Sequence, residues 1–166
     1  MVTTDMFGTE PPTPDIEQLY RESRQALTSY FQRRHRSAHT AEDLVQETFL
    51  RLMRRVNQCH KAASPRGYLF GIARHLSLDT WRRAKPTTGD ETVIPSIPAS
   101  HPDQRLSEAR EIIASLPPLQ REILDLRFQH DLSYAEIAQA LRIPVGTVRS
   151  RLHNAIALLR QQLEQE

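Results

Sequence analysis

The sequence predicts an all-α protein of two small helical domains joined by a flexible linker, and three observations lead there. Apolar residues recur at three- and four-residue steps in several separate stretches, the spacing that lines one face of a helix. No stretch alternates apolar and polar residues between turn signals, so no sheet is expected. Between Ala84 and Asp103 the helical pattern stops, and Pro86, Pro95, Pro98 and Pro102 stand among Thr, Ser, Gly and Asp. With 166 residues the chain has room for two small domains. The expected organisation is a disordered lead-in over 1–14, a first domain over 15–83, a linker over 84–103 and a second domain over 104–166.

In the first domain Ile16, Leu19, Tyr20, Ser23, Ala26, Leu27, Tyr30 and Phe31 form one stripe of a helix that ends in the basic stretch Arg33 to Arg36. A second helix is expected from Thr40, with Thr40 and Asp43 placed as a capping box, to about Asn57. It turns Val45, Phe49, Leu52, Met53 and Val56 inward. The third is expected from Ser64-Pro65, a capping serine before proline at the first helical position, to about Arg83. In the second domain Leu106, Ala109, Ile113 and Leu116 mark one helix, broken at Pro117-Pro118. Leu119, Ile123, Leu124 and Leu126 mark the next, which ends near His130.

Composition narrows the function. No run approaches the roughly 18 apolar residues that span a bilayer, and Met1 to Asp15 lacks the basic start and apolar centre of a secretion signal. A cytoplasmic protein without membrane insertion is expected. Cys59 is the only cysteine, which excludes an internal disulfide and any multi-cysteine zinc cluster. No phosphate-binding glycine loop, nucleophile elbow or metal-ligand spacing is found, so neither an enzyme nor a cofactor is expected. The 22 basic and 20 acidic residues nearly cancel, but their distribution is uneven. Arg66, Arg74, Arg82, Arg83 and Lys85 face a single acid, Asp79, and between Leu141 and Arg160 four arginines meet none.

The C-terminal basic segment reads as a helix-turn-helix over Ser133 to Asn154. Ser133-Tyr134-Ala135-Glu136 is a capping box, Ile137, Ala138 and Leu141 face inward, and Arg142-Ile143-Pro144 breaks the chain before a second helix opens near Val145. Val148, Leu152, Ala155 and Leu159 share the inner face of that helix. Ser150 points away from them, surrounded by Gly146, Arg149, His153 and Asn154. An outward face of guanidinium, hydroxyl and amide groups without a carboxylate suits the major groove of duplex DNA.

Leu116-Pro117, Glu122, the segment Leu132 to Ala138 and Pro144-Val145-Gly146-Thr147-Val148-Arg149-Ser150-Arg151-Leu152 resemble the region-four module of extracytoplasmic-function sigma factors. The resemblance implies binding of the minus-thirty-five promoter element by Thr147, Arg149, Ser150, Arg151, His153 and Asn154, the last standing where many members carry a basic residue. In the first domain Ala41-Glu42-Asp43-Leu44-Val45-Gln46-Glu47-Thr48-Phe49 is similar to the region-two signature of the same family. This implies that Asp43, Gln46, Glu47 and Leu50 dock on the beta and beta-prime subunits of core RNA polymerase.

The third helix interleaves cations with rings. Arg74, His75, Trp81 and Arg82 gather opposite its inner face, with Phe70 at the margin, a combination that suits stacked single-stranded bases. For Phe70 and Trp81, packing on the first helix is an equal alternative. Pro65 to Leu69, Ile72 to His75 and Asp79 to Arg83 resemble the segments that melt and read the minus-ten element. Phe70, Arg74, His75, Trp81, Arg82 and Arg83 are then the implied contacts, His75 standing where the family usually has asparagine. The loop Asn57 to Ser64 is expected to border that pocket. The resemblance implies an alternative sigma factor that binds core polymerase and promoter DNA and is held by an anti-sigma protein. A dimeric helix-turn-helix regulator acting without polymerase is the other reading, and it leaves the Asp43 row unexplained.

Overall fold

The computed structural model describes residues 15–84 and 104–164, and these residues form helices and short connections without a strand. The helices are α1 (Ile16–Arg34), α2 (Ala38–Arg54), α3 (Val56–Lys61), α4 (Pro65–Ala84), α5 (Gln104–Ser115), α6 (Pro118–Phe128), α7 (Tyr134–Leu141) and α8 (Val145–Glu164). The expected lead-in, and all of the expected linker but Ala84, lie outside the described residues.

Helix starts follow side-chain oxygens that take up otherwise unpaired backbone N–H groups. The Asp15 carboxylate accepts from Glu17 and Gln18 at 3.0 and 3.2 Å. The cap of α2 is Ser37, accepting from the Thr40 N–H at 3.3 Å, so the helix begins before the expected Thr40 box. Ser64 caps α4 through the Gly67 N–H at 3.0 Å. Ser133 and Glu136 form the expected capping box of α7 in both directions, at 3.2 and 2.7 Å. One expected loop is different: most of Asn57 to Ser64 belongs to α3, a single extra turn and a half set off from α2 by a break at Arg55.

Helices α1, α2 and α4 form the first bundle, with Leu27, Phe31, Leu52, Leu69 and Ala73 fully buried. Cys59 is buried beside them, and burial pushes its thiol up. Met53, expected inside, is 52% exposed on α2. Helices α5, α6 and α7 pack on α8 around Ile123, Leu126, Ile137, Val148 and Ala155.

The two bundles are closed on each other. Helix α4 lies along α7 over the broadest helix–helix contact among the described residues. Gly67 and Gly71, one turn apart on α4, make the approach possible. A Cβ on Gly67 would sit 2.7 Å from the Glu136 carbonyl oxygen and 2.8 Å from Gln139 Cβ, and one on Gly71 3.4 Å from the Ala140 carbonyl. Replacing Gly67 by Ala therefore has two opposed effects. It raises the helix propensity of α4 by about 1 kcal/mol and makes the contact with α7 impossible without separation. Gly67→Ala should keep its helical circular dichroism and show a larger radius of gyration in small-angle scattering. An unchanged radius would contradict this packing.

Candidate nucleic-acid interface and the contact that covers it

On the far side of α8 the exposed residues are Arg149, Ser150, Arg151, His153 and Asn154, with Thr147 half-buried at the first turn. Val148, Leu152 and Ala155 are buried, and Leu159 packs at the edge of the core, so the expected inner face is the observed one. Ser150 Oγ donates to the Thr147 carbonyl at 3.1 Å. Neither Arg149 nor Arg151 has an acidic partner among the described residues. The surface is thus a row of cations and short polar groups, open to phosphate or base edges.

Helix α2 presents the second candidate face. Asp43, Gln46 and Leu50 are exposed and Glu47 is half-buried, the Glu47 carboxylate accepting from Arg51 Nε at 2.8 Å. His39 Nε2 lies 3.4 Å from the Asp43 carboxylate. Leu50 is 43% exposed, and Met53 one turn on extends the same apolar spot. Sequence periodicity placed Met53 inward because it also fits the apolar stripe.

The third face, on α4, is partly occupied. Phe70, expected at its margin, is 1% exposed and packs edge-on against Tyr30 of α1 at 5.7 Å and against His130 at 6.1 Å. The packing alternative describes Phe70, because its position on α4 falls between α1 and the turn after α6, leaving no ring face for a base. Arg74, half-exposed, donates from Nε to the Glu122 carboxylate of α6 at 2.8 Å. His75 lies 3.3 Å and Arg82 3.8 Å from Asp79. Trp81 is half-buried, and Arg82 and Arg83 are exposed.

Around this contact lies a buried charge cluster that the sequence did not announce. Arg34, with 5% of its side chain exposed, comes from α1 and meets Asp125 of α6 at 2.8 Å. Arg33 approaches the same carboxylate at 3.3 Å, and Nε2 of the fully buried His130 lies 3.4 Å from it. The Arg34 guanidinium also stacks 3.6 Å from the centre of the Tyr30 ring, a cation–π contact. These are charge contacts more than aligned hydrogen bonds, since Arg34 Nη2, Asp125 Oδ2 and His130 Nε2 have no partner in hydrogen-bonding geometry. Burial opposes ionisation of Asp125, but His130 and the charges of Arg34 and Arg33 outweigh it and hold the carboxyl well below the usual carboxylate range. Burial pushes the Tyr30 hydroxyl up. Arg66 closes the rim, donating to the His130 carbonyl at 3.0 Å and standing 3.5 Å from Glu136.

The residues missed by sequence reading are therefore Arg34, Asp125 and His130, and Glu122 entered it only through the region-four resemblance, without its contact to Arg74. The available signal was the Gly67-Gly71 spacing, which marks a helix side that another backbone approaches closely.

A depressed carboxyl pKa stabilises the closed form above the ordinary value of about 3.9 and ceases to do so as pH falls through the depressed one. Closure should hold from neutral pH to about pH 4 and weaken below it. Asp125→Asn strands Arg34, at a cost of about 3 kcal/mol if the bundles stay together. The chain should relieve that cost by separating them, hydrating Arg34. A radius of gyration that is unchanged in Asp125→Asn at neutral pH would contradict the role given to Asp125.

Among the described residues no helix is long and apolar enough to cross a membrane, and no group of His, Cys, Asp and Glu is set to hold a metal. Residues 19–87 match the family model of Sigma-70 region 2, and residues 106–159 that of Sigma-70, region 4. The chain is 30% identical over 171 residues to the RNA polymerase sigma factor HrpL of Pseudomonas syringae pv. syringae, covering 94% of this chain and 93% of the relative. It is 34% identical over 158 residues to the ECF RNA polymerase sigma factor SigL of Mycobacterium tuberculosis, covering 89% and 88%. In fold it is similar to the sigma factor RpoE of Bartonella quintana, solved with the anti-sigma factor NepR, with a TM-score of 0.60, 23% identity and coverage of 90% and 97%.

Proposed function

The chain belongs to the extracytoplasmic-function family of sigma-70 factors, and from that premise we propose the residues through which it works. It is an alternative sigma factor, which binds core RNA polymerase and directs promoter recognition and transcription initiation. The observation that carries this reading is the pair of region models matched in order, 19–87 and then 106–159, on one chain. A dimeric regulator would need no region-two module and is not favoured.

In our reading Asp43, Gln46, Glu47 and Leu50, with Met53 beside them, dock on the polymerase beta and beta-prime subunits. Acids around a small apolar spot suit a basic helical partner, the apolar pair supplying affinity and the charges orientation. Thr147, Arg149, Ser150, Arg151, His153 and Asn154 take the minus-thirty-five duplex. Arg74, His75, Trp81, Arg82 and Arg83 take the melted minus-ten strand, the arginines on phosphates and the rings on bases. The factor performs no bond chemistry of its own.

The closed arrangement is, in this account, the form of the factor before it meets polymerase. Arg74 is tied to Glu122 of α6 in this arrangement, and the two modules must part to reach separate promoter elements. An anti-sigma protein would act on the same faces.

Run-off transcription with core polymerase over genomic DNA tests the activity and returns the promoter. In the same assay the double variant Asp43→Lys, Glu47→Lys should lose co-purification with polymerase while keeping its helical signal. Arg149→Ala should weaken promoter use by about 1–3 kcal/mol if it reads a base. Unchanged co-purification of the double variant would remove α2 as the docking face.

A further inference from the structure

A cleft of about 410 Å³ opens where α2, α4 and the end of α7 meet, a size in the range that takes small ligands. Its cationic walls come from both modules: Arg51, Arg55 and Arg74 from the first and Arg142 from the second, with the His75 ring beside them, and no carboxylate lines it. We propose that this cleft is a binding site for a nucleoside polyphosphate, formed only when the two modules are closed.

Two of the arginines are set for the task. Arg51 is held by Glu47 and Arg74 by Glu122, each through Nε at 2.8 Å, so both stems are fixed while the terminal nitrogens are left for another acceptor. A guanidinium anchored on one edge presents a rigid fork to phosphate oxygens. Arg55 and Arg142 are exposed and have no acidic partner among the described residues. His75 lies at the mouth beside Asp79.

The backbone adds an independent observation. Arg142 ends α7 in the left-handed conformation, φ 54° and ψ 46°, where glycine or asparagine is usual and a longer side chain costs about 1 kcal/mol. That strained turn carries the one cation which the second module adds to the cleft. Tyr68, fixed by a 2.9 Å hydrogen bond to Gln58, and Ile72 give an apolar side against which a base can rest. Four arginines lining one space favour two or three linked phosphates over a single one. Gln139 to Arg142 of α7 wall the cleft against α4, and a space of this size suits a small molecule.

Because neither module has the complete site, the ligand binds the closed form alone. At a hundred times its Kd it shifts the balance of closed to open about a hundredfold. Binding stands on the cleft itself, whereas the consequence, restraint of initiation when the ligand is abundant, rests on the sigma-factor reading.

The test is isothermal titration of the full chain at low salt with ATP, inorganic tripolyphosphate and a short single-stranded oligonucleotide, without polymerase. ATP and tripolyphosphate should bind one to one. The double variant Arg55→Ala, Arg142→Gly should weaken both about tenfold or more. Arg149→Ala with Arg151→Ala, which removes the same charge elsewhere, should leave them within about twofold. Circular dichroism checks that each pair is folded. Three results would each overturn the proposal: no saturable binding, equal loss in both pairs, or an oligonucleotide that alone depends on Arg55 and Arg142. Run-off transcription without added ligand, expected at the original level in the Arg55 and Arg142 variant, separates failure of this site from failure of the sigma-factor reading.

Discussion

The seating of α7 on α4 sets the rest of the molecule's arrangement. Two glycines on α4 let the helices approach to backbone contact, and this brings α6 near enough for Glu122 and Asp125 to reach Arg74 and Arg34. Neither part suffices alone. A glycine-lined contact without charges would be shallow, and a buried Asp125 without two arginines and His130 would be too costly to ionise. The contact is therefore tight but electrostatic, and water can compete for every one of its charged groups once the helices part. That is the profile of an interface made to open.

On the proposed assignment of the promoter elements to α4 and α8, the promoter itself requires opening. Elements near minus ten and minus thirty-five lie about 25 base pairs apart, on the order of 85 Å at 3.4 Å per pair. Helices α4 and α7 touch, so one closed molecule cannot lie along both. Nineteen residues separate Ala84 from Gln104, and a chain of that length reaches about 65 Å at most. Added to α8, whose twenty residues extend about 30 Å, that reach is of the right order.

The sequence was most legible where local rules decide. The capping box at Ser133 and Glu136, the proline at the start of α4 and the inner face of α8 are short-range features, and each is found as expected. It was less legible at α2, where Ser37 took the cap because its φ of −92° and ψ of 122° suit a residue outside the helix. Met53 fitted the apolar stripe by spacing and was exposed by the way α1 and α4 cover the helix. Phe70 stayed ambiguous for a different reason: an aromatic residue among arginines reads equally as a stacking platform or a core ring, and only Tyr30 of α1 and His130 after α6 decide for the core. Asp125 and His130 carry no local signal, and nothing local to Glu122 announces its ion pair. Their meaning comes from α1 and α4, some fifty to ninety residues away in the chain.

The central claim is that one factor exists closed when free and open at work. The most direct measurement is energy transfer between fluorophores on cysteines introduced at Arg24 of α1 and Gln161 of α8, both exposed and outside the proposed contacts. The free chain should give a single high-efficiency population, replaced by a low-efficiency one when core polymerase and promoter DNA are added together. High efficiency retained in the transcribing complex, or low efficiency already in the free chain, would contradict the account.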